Sequence, residues 1–292
     1  MNVNKVGIET SALLCELNIS SWTARRLDRA ASTEIMNTKN AKDKGAARVN
    51  KHLLAGRNEL DVVVQAAGAA RTYFIANTLP WSDSGLRLLP TIRFMEVNDK
   101  LVELQAEYFA RVHAFVSIYP TLITAQAMAL GDMFKREEFP PVQDIKSKFD
   151  FRFNFMPVPS AGDFRVDVGS EAQQLLREQM ERASQERVDN AMKDAWARLH
   201  EQLTKMADRL QVDVVDGEAK PRVFRDSLVS NAFELVRVLE GFNVTGDPKL
   251  AQATRSLERA ISGVTPELLR EDAYTRDNVQ QRVNAILNDI SF

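Results

Sequence analysis

The chain has 292 residues, 45% of them hydrophobic and 27% charged, which is enough apolar material for one large domain or two ordinary ones without disulfides or metals. Its single cysteine, Cys15, excludes an internal disulfide and fits a reducing cytoplasm. A formal net charge of −2 excludes a protein that is basic overall, but not one with a basic patch.

The first residues, MNVNKVGIETSALLCELN, have one Lys and then Glu9 and Glu16, unlike the basic start and apolar core of a secretory leader. Leu13, Cys15, Leu17 and Ile19 alternate with more polar neighbours and predict a half-buried strand. Cys15 has no basic neighbour there and reads as a small core residue rather than a nucleophile. From Trp22 to Arg57 there are nine basic residues against three acidic ones. Such a surplus suits a phosphate-contacting surface built from Arg25, Arg26, Arg29, Lys42, Lys44, Arg48 and Lys51. A solvated, loosely helical connector is the competing reading. Trp22 is the only aromatic in the segment, so it offers no stacking platform for single strands.

Residues 58–77, NELDVVVQAAGAARTYFIAN, predict an Ala-rich helix. TLPWSDSGLRLLP at 78–90 has Pro80 and Pro90 around the turn residues Ser82-Asp83-Ser84-Gly85, with Leu86, Leu88, Ile92 and Phe94 in short extended segments. Trp81, Asp83 and Arg87 stand out there. Asp83 and Arg87 are either an acid–base or anion site, or turn charges that are solvated and pair locally.

Val97, Leu101, Leu104, Tyr108, Val112, Phe115 and Tyr119 recur at spacings of three and four, the mark of a helix over about 97–134. Val112 to Gly131 has no Asp, Glu, Lys or Arg, which predicts a helix enclosed on all sides and interrupted near Pro120. His113, within that run, reads as a core histidine. The run's Ser, Thr, Gln and Pro residues and its lack of a polybasic flank argue against a membrane span. Phe149, Phe151, Phe153 and Phe155 then alternate with Asp150, Arg152 and Asn154 in the clearest strand of the chain. FRVDV at 164–168 completes an expected hairpin whose aromatic face reads as core rather than as a base-stacking surface.

Ser170 and Gln173 have capping-box spacing, and a helix is predicted from there to about Gln211, roughly 60 Å long. Val188, Met192, Ala195, Leu199, Leu203, Met206 and Leu210 form its stripe, with Trp196 beside it. A helix of that length suggests a protein-contact arm, with Met192, Trp196, Leu199, Leu203 and Met206 as the interface; a helix buried in its own subunit is the alternative. Residues 212–221 read as a connector or short hairpin, and three shorter helices follow, at about 223–240, from Asp247-Pro248 to Gly263, and after Thr275.

There is no phosphate-binding glycine loop, no nucleophile elbow, and no metal-ligand spacing around His52, His113 or His200. These observations favour a non-enzymatic protein without cofactor or metal, with a hydrolase or lyase using Asp83, Arg87 or His113 as a remainder.

The Pro80-Trp81 pair and the Gly85-Leu86-Arg87-Leu88-Leu89-Pro90 run, with Leu13–Ile19 and Trp22 before them and the Tyr108–Phe134 helix after, resemble a bacteriophage and plasmid family known as domain of unknown function number 3150. The resemblance spans roughly residues 10–170. It implies the product of a mobile element, often encoded near a MoxR-type AAA+ ATPase and sometimes near recombination genes. It supplies no catalytic residues. The expectation is thus an α+β, predominantly helical fold, with long antiparallel helices packed on a small antiparallel sheet. A 1–169 α+β domain would precede a 170–292 helical region. The protein would be cytoplasmic and would self-associate or serve as an adaptor, with the AAA+ ATPase as a possible partner; DNA binding through the basic segment in recombination or replication is the alternative.

Overall fold

In a computed structural model that describes residues 8–43, 45–160, 170–215 and 218–290, the chain is an α+β protein dominated by helices. In chain order the elements are α1 (Ile8–Ser11), β1 (Ala12–Ser20), β2 (Arg25–Asp28), α2 (Arg29–Thr38), β3 (Val49–His52), α3 (Glu59–Ala76), β4 (Leu79–Pro80), β5 (Arg87–Pro90) and α4 (Phe94–Ala129). They continue with α5 (Val142–Ile145), β6 (Asp150–Pro157), α6 (Ser170–Arg209), β7 (Val212–Val215), β8 (Glu218–Pro221), α7 (Ser227–Phe242), α8 (Pro248–Ile261), α9 (Pro266–Glu271) and α10 (Ala273–Asp289). A four-stranded sheet has the order β4-β5-β1-β6, with β5 antiparallel to both β4 and β1. The pairs β2–β3 and β7–β8 form separate two-stranded ribbons.

The expected boundary at 169/170 is not where the chain divides. One compact unit comprises Met1–Glu16, Ile75–Val97 and Asn154–Phe292; the other comprises Leu17–Phe74 and Asn98–Phe153. The physical reason is that β1, β6 and α4 each contribute residues to both units, so neither unit is continuous in sequence. The second strand of the expected hairpin, at 164–168, and the side chain of the Ser170 cap lie outside the described residues.

The smaller unit is organised by α4. Leu104, Tyr108, Val112, Phe115 and Tyr119 bury one face of the helix against Leu60, Val63, Ala67 and Phe74 of α3 and against Phe149 and Phe151. Phe153 is half-buried against the same core, so these phenylalanines serve packing rather than base stacking. Tyr108 donates to Ser20 O at 2.6 Å and Tyr119 to Pro140 O at 3.1 Å, and burial pushes the Tyr119 hydroxyl up to about 12. Trp22 stands edge-on to Tyr119 at 5.6 Å.

Two expectations for α4 are corrected. The charge-free run is not enclosed: His113, Ser117, Ile118, Thr121 and Thr124 are exposed, and Met128 is 90% exposed. Absence of charge does not imply burial, because small and hydroxylated residues can be solvated as well. His113 is therefore a surface residue, not a core one. Nor does Pro120 interrupt the helix, which continues to Ala129. Pro120 is exposed, so the carbonyl left without its usual donor can be solvated. Among the described residues no helix is long and apolar enough to cross a membrane.

The segment expected as a loose connector is built. Arg25, Arg26, Leu27 and Asp28 of β2 pair with His52, Lys51, Asn50 and Val49 of β3. Asp28 also caps α2 by accepting from Ala31 N at 3.0 Å, and Ser32 of α2 accepts from Val49 N at 2.9 Å. The Ala31 amide and then the nearby Lys51 ammonium hold the Asp28 carboxyl below its ordinary value. A lowered folded value means that the stability Asp28 supplies is complete above about pH 4 and lost as pH falls through that value. In urea melts the wild type should lose stability below about pH 4 more steeply than Asp28→Asn; equal slopes would contradict this role.

The larger unit is organised by α6. Val188, Met192, Ala195, Leu199, Leu203 and Met206 are buried among Val229, Val236 and Leu239 of α7, Leu250 and Leu257 of α8, and Val283 and Ile286 of α10. Arg93 donates to Asn77 Oδ1 at 2.6 Å and to Glu96 at 3.2 Å. A Cβ at Gly241 of α7 would lie 3.1 Å from Arg93 Cδ, which accounts for a glycine inside that helix.

Candidate nucleic-acid interface

The interface expected on α6 is core. Leu199, Leu203 and Met206 are 0% exposed and Met192 is buried at 9%. Trp196 is half-buried and donates from Nε1 to Asp247 at 3.2 Å. The stripe is real, but its partners are the helices that follow it in the same chain; periodicity shows that a face is covered, not by what. Leu203→Ala should therefore lower folding stability by about 2–5 kcal/mol, as core truncations do. A urea melt that shifts by less than about 0.5 kcal/mol would contradict the core assignment.

The Trp81–Arg87 motif is also structural. β4 and β5 form a hairpin in which Trp81 N and Ser82 N both donate to Leu86 O at 3.1 Å, and Gly85 takes the positive φ that the turn needs. Asp83 is exposed in that turn. Trp81 is 5% exposed, with the Arg187 guanidinium 5.8 Å from its ring centroid. Arg87 donates to Thr78 Oγ1 at 2.6 Å and Thr78 O at 2.8 Å. Arg198 of α6 converges on the same carbonyls, reaching Ala76 O, Ile75 O and Thr78 O at 2.9–3.1 Å while it pairs with Asp194 at 2.7 Å. Burial and then the Arg198 charge press the Arg87 pKa downward. Two guanidiniums thus close the carbonyl end of α3, where the helix dipole favours cations. Asp83 is thus exposed in a turn, Arg87 is held by Thr78, and His113 is exposed on α4. Cys15 is fully buried, donates to Arg87 O at 3.4 Å, and has its thiol pushed up to about 12 by burial, so it is chemically quiet.

The basic segment contrasts with these committed arginines. Arg25, Arg26, Arg29, Lys42 and Arg48 are all exposed. Among the described residues the side chains of Arg26, Arg29, Lys42 and Arg48 have no ion pair and no hydrogen bond, and Arg25 donates only to His52 Nε2, at 3.2 Å. Elsewhere Arg93 pairs with Glu96, Arg222 with Asp208 and Asp213, and Arg270 with Asp226. Lys51 is the exception within the basic segment and corrects its expected role. It is 4% exposed, 2.6 Å from Glu138 and 3.5 Å from Asp28, and it donates to Met133 O at 2.7 Å. Its charge is used internally and cannot serve a phosphate. Lys44 lies outside the described residues.

Sequence reasoning missed His52, which the β2–β3 register sets opposite Arg25 on the exposed face of the ribbon. The four residues Val49, Asn50, Lys51 and His52 show no apolar alternation in sequence; the alternation is in their burial. The unit that carries the ribbon has 17 basic and 13 acidic residues, whereas the other has 21 and 27. The near-neutral whole hides this asymmetry. Among the described residues no group of three or more His, Cys, Asp or Glu could hold a metal ion. No family model, curated protein or solved structure matches the chain.

Proposed function

We propose that the protein binds nucleic acid through the β2–α2–β3 surface, in a non-enzymatic role. The observation that supports this reading is the set of exposed cations, Arg25, Arg26, Arg29, Lys42 and Arg48, that the fold displays without giving them carboxylate partners. Unpaired Lys and Arg neutralise phosphates and release the condensed counterions of a polyanion. A two-stranded ribbon is also narrow enough to follow the major groove of a duplex. Trp22, the segment's one aromatic, is packed against Phe115 and Tyr119, so stacking on splayed bases contributes little and a duplex is the favoured ligand. In the phage or plasmid setting that the sequence resemblance implies, such a protein would act on DNA undergoing replication or recombination. The adaptor reading loses its expected contact surface, because the α6 stripe is buried.

The test is fluorescence anisotropy with a labelled duplex and a labelled single strand across a salt series. Five phosphate contacts would give a log–log salt slope of about −4 to −5 with the duplex. Arg25→Glu with Arg26→Glu should weaken binding at least tenfold and flatten the slope by about two. Absence of binding at low salt, or unchanged binding by a folded double variant, would overturn the proposal.

A further inference from the structure

α6 carries a second, shorter apolar line ahead of the stripe that the core covers. Before Val188 no described residue of the helix is fully buried, and Leu176, Met180 and Ala183 form a short apolar line of their own, turned about a third of the way round the helix from Val188 and Met192. They form one wall of an open groove whose other side includes Trp81 and Val244. The groove encloses about 1240 Å³. That exceeds the roughly 300–1,000 Å³ of ordinary small-molecule pockets. A helix about 10 Å across that rises 1.5 Å per residue occupies on the order of 120 Å³ per residue, so the groove would take about ten residues of one.

The charges around the groove select the occupant. Among the described residues Glu9, Glu181, Asp189 and Asp247 line it against one cation, Arg187, which lies over the Trp81 ring. Asp247 caps α8 and accepts from Trp196, and Asp189 accepts from Gln185 at 2.8 Å, so their charges are partly used; Glu9 and Glu181 remain at the groove, within the unit that has the acidic excess. We infer that this groove binds an amphipathic helix of a partner protein, whose apolar face packs on Leu176, Met180 and Val244 and whose flanking Lys or Arg residues meet the acidic rim. The mode is helix-in-groove recognition, in which apolar anchors supply affinity and rim charges set orientation and partner choice. It is independent of the basic ribbon, and none of its residues takes part in the proposed DNA contact.

A fluorescein-labelled 18-residue peptide of Leu and Lys in amphipathic helical order, with its Leu/Glu counterpart as control, tests this on the full chain. The Leu/Lys peptide should bind and the Leu/Glu peptide should bind at least tenfold more weakly. Met180→Lys should reduce Leu/Lys affinity at least tenfold. Glu258→Lys, an exposed change on α8 outside the groove, should leave it within twofold, with circular dichroism showing both variants folded. Equal losses in both variants would mean general charge attraction and overturn the site. So would a sedimentation result in which the wild type is a dimer that Met180→Lys dissociates, because the occupant would then be a second copy.

Discussion

Arg198 and Arg87 close the carbonyl end of α3, and the larger unit depends on this arrangement. The carbonyls of Ile75 and Ala76 at the end of α3, and that of Thr78 just beyond it, accept from the two guanidiniums, with Asp194 balancing part of the charge. Thr78 is 0% exposed, so its carbonyl without donors would carry an unmet polar cost, whereas Ile75 and Ala76 stand at the exposed end of the helix. Arg198 sits in the middle of the buried part of α6 and its guanidinium lies 5.2 Å from the Phe242 ring centroid, so the same contact sets the height of α6 against the β4–β5 hairpin and α7. Arg87 enters the network from the hairpin. Two cations held so close are tolerable only because carbonyl dipoles and a carboxylate surround them, consistent with the downward pressure on Arg87.

The stripe of the long amphipathic helix is covered by helices of its own unit. With Arg198 fixed, Leu199, Leu203 and Met206 face α7 and α10 and are consumed as core. Before Val188 a separate apolar line, Leu176, Met180 and Ala183, is half-covered, and there the groove opens. The smaller unit follows a different economy of charge. One cation, Lys51, is buried and matched to Glu138 and Asp28, while Arg25, Arg26, Arg29, Lys42 and Arg48 are left in water. Holding Lys51 inside fixes the ribbon, and the ribbon fixes where its neighbours' charges point.

Much of this fold was legible in the sequence because its cause is local. The i, i+3, i+4 recurrence from Val97 to Tyr119, the Phe149–Phe155 alternation, and the Asp247-Pro248 start each record a rule that acts over a few residues, and each marks an observed element. The partner of each face was not legible. Met192 to Met206 read equally well as interface or core, since burial against another chain and against one's own leave the same period. The two-unit division was hidden for a similar reason: β1 supplies Ala12 and Leu14 to one core and Leu17 and Ile19 to the other, and no composition shift marks the change. Within the candidate interface the positive surplus was visible, but the fate of single charges was not. Only the register that sets Arg26 against Lys51 and Asp28 against Val49 separates the committed Lys51 from its exposed neighbours.

The central claim is that α6 is committed to the fold while the cations around β2 and β3 are free for a polyanion. Hydrogen–deuterium exchange of the full chain, with and without a short DNA duplex at low salt, tests both halves in one measurement. The account predicts slow exchange across 188–209 whether or not DNA is present, and DNA-dependent protection concentrated in 25–52. DNA-dependent protection along 188–209, with none in 25–52, would contradict it.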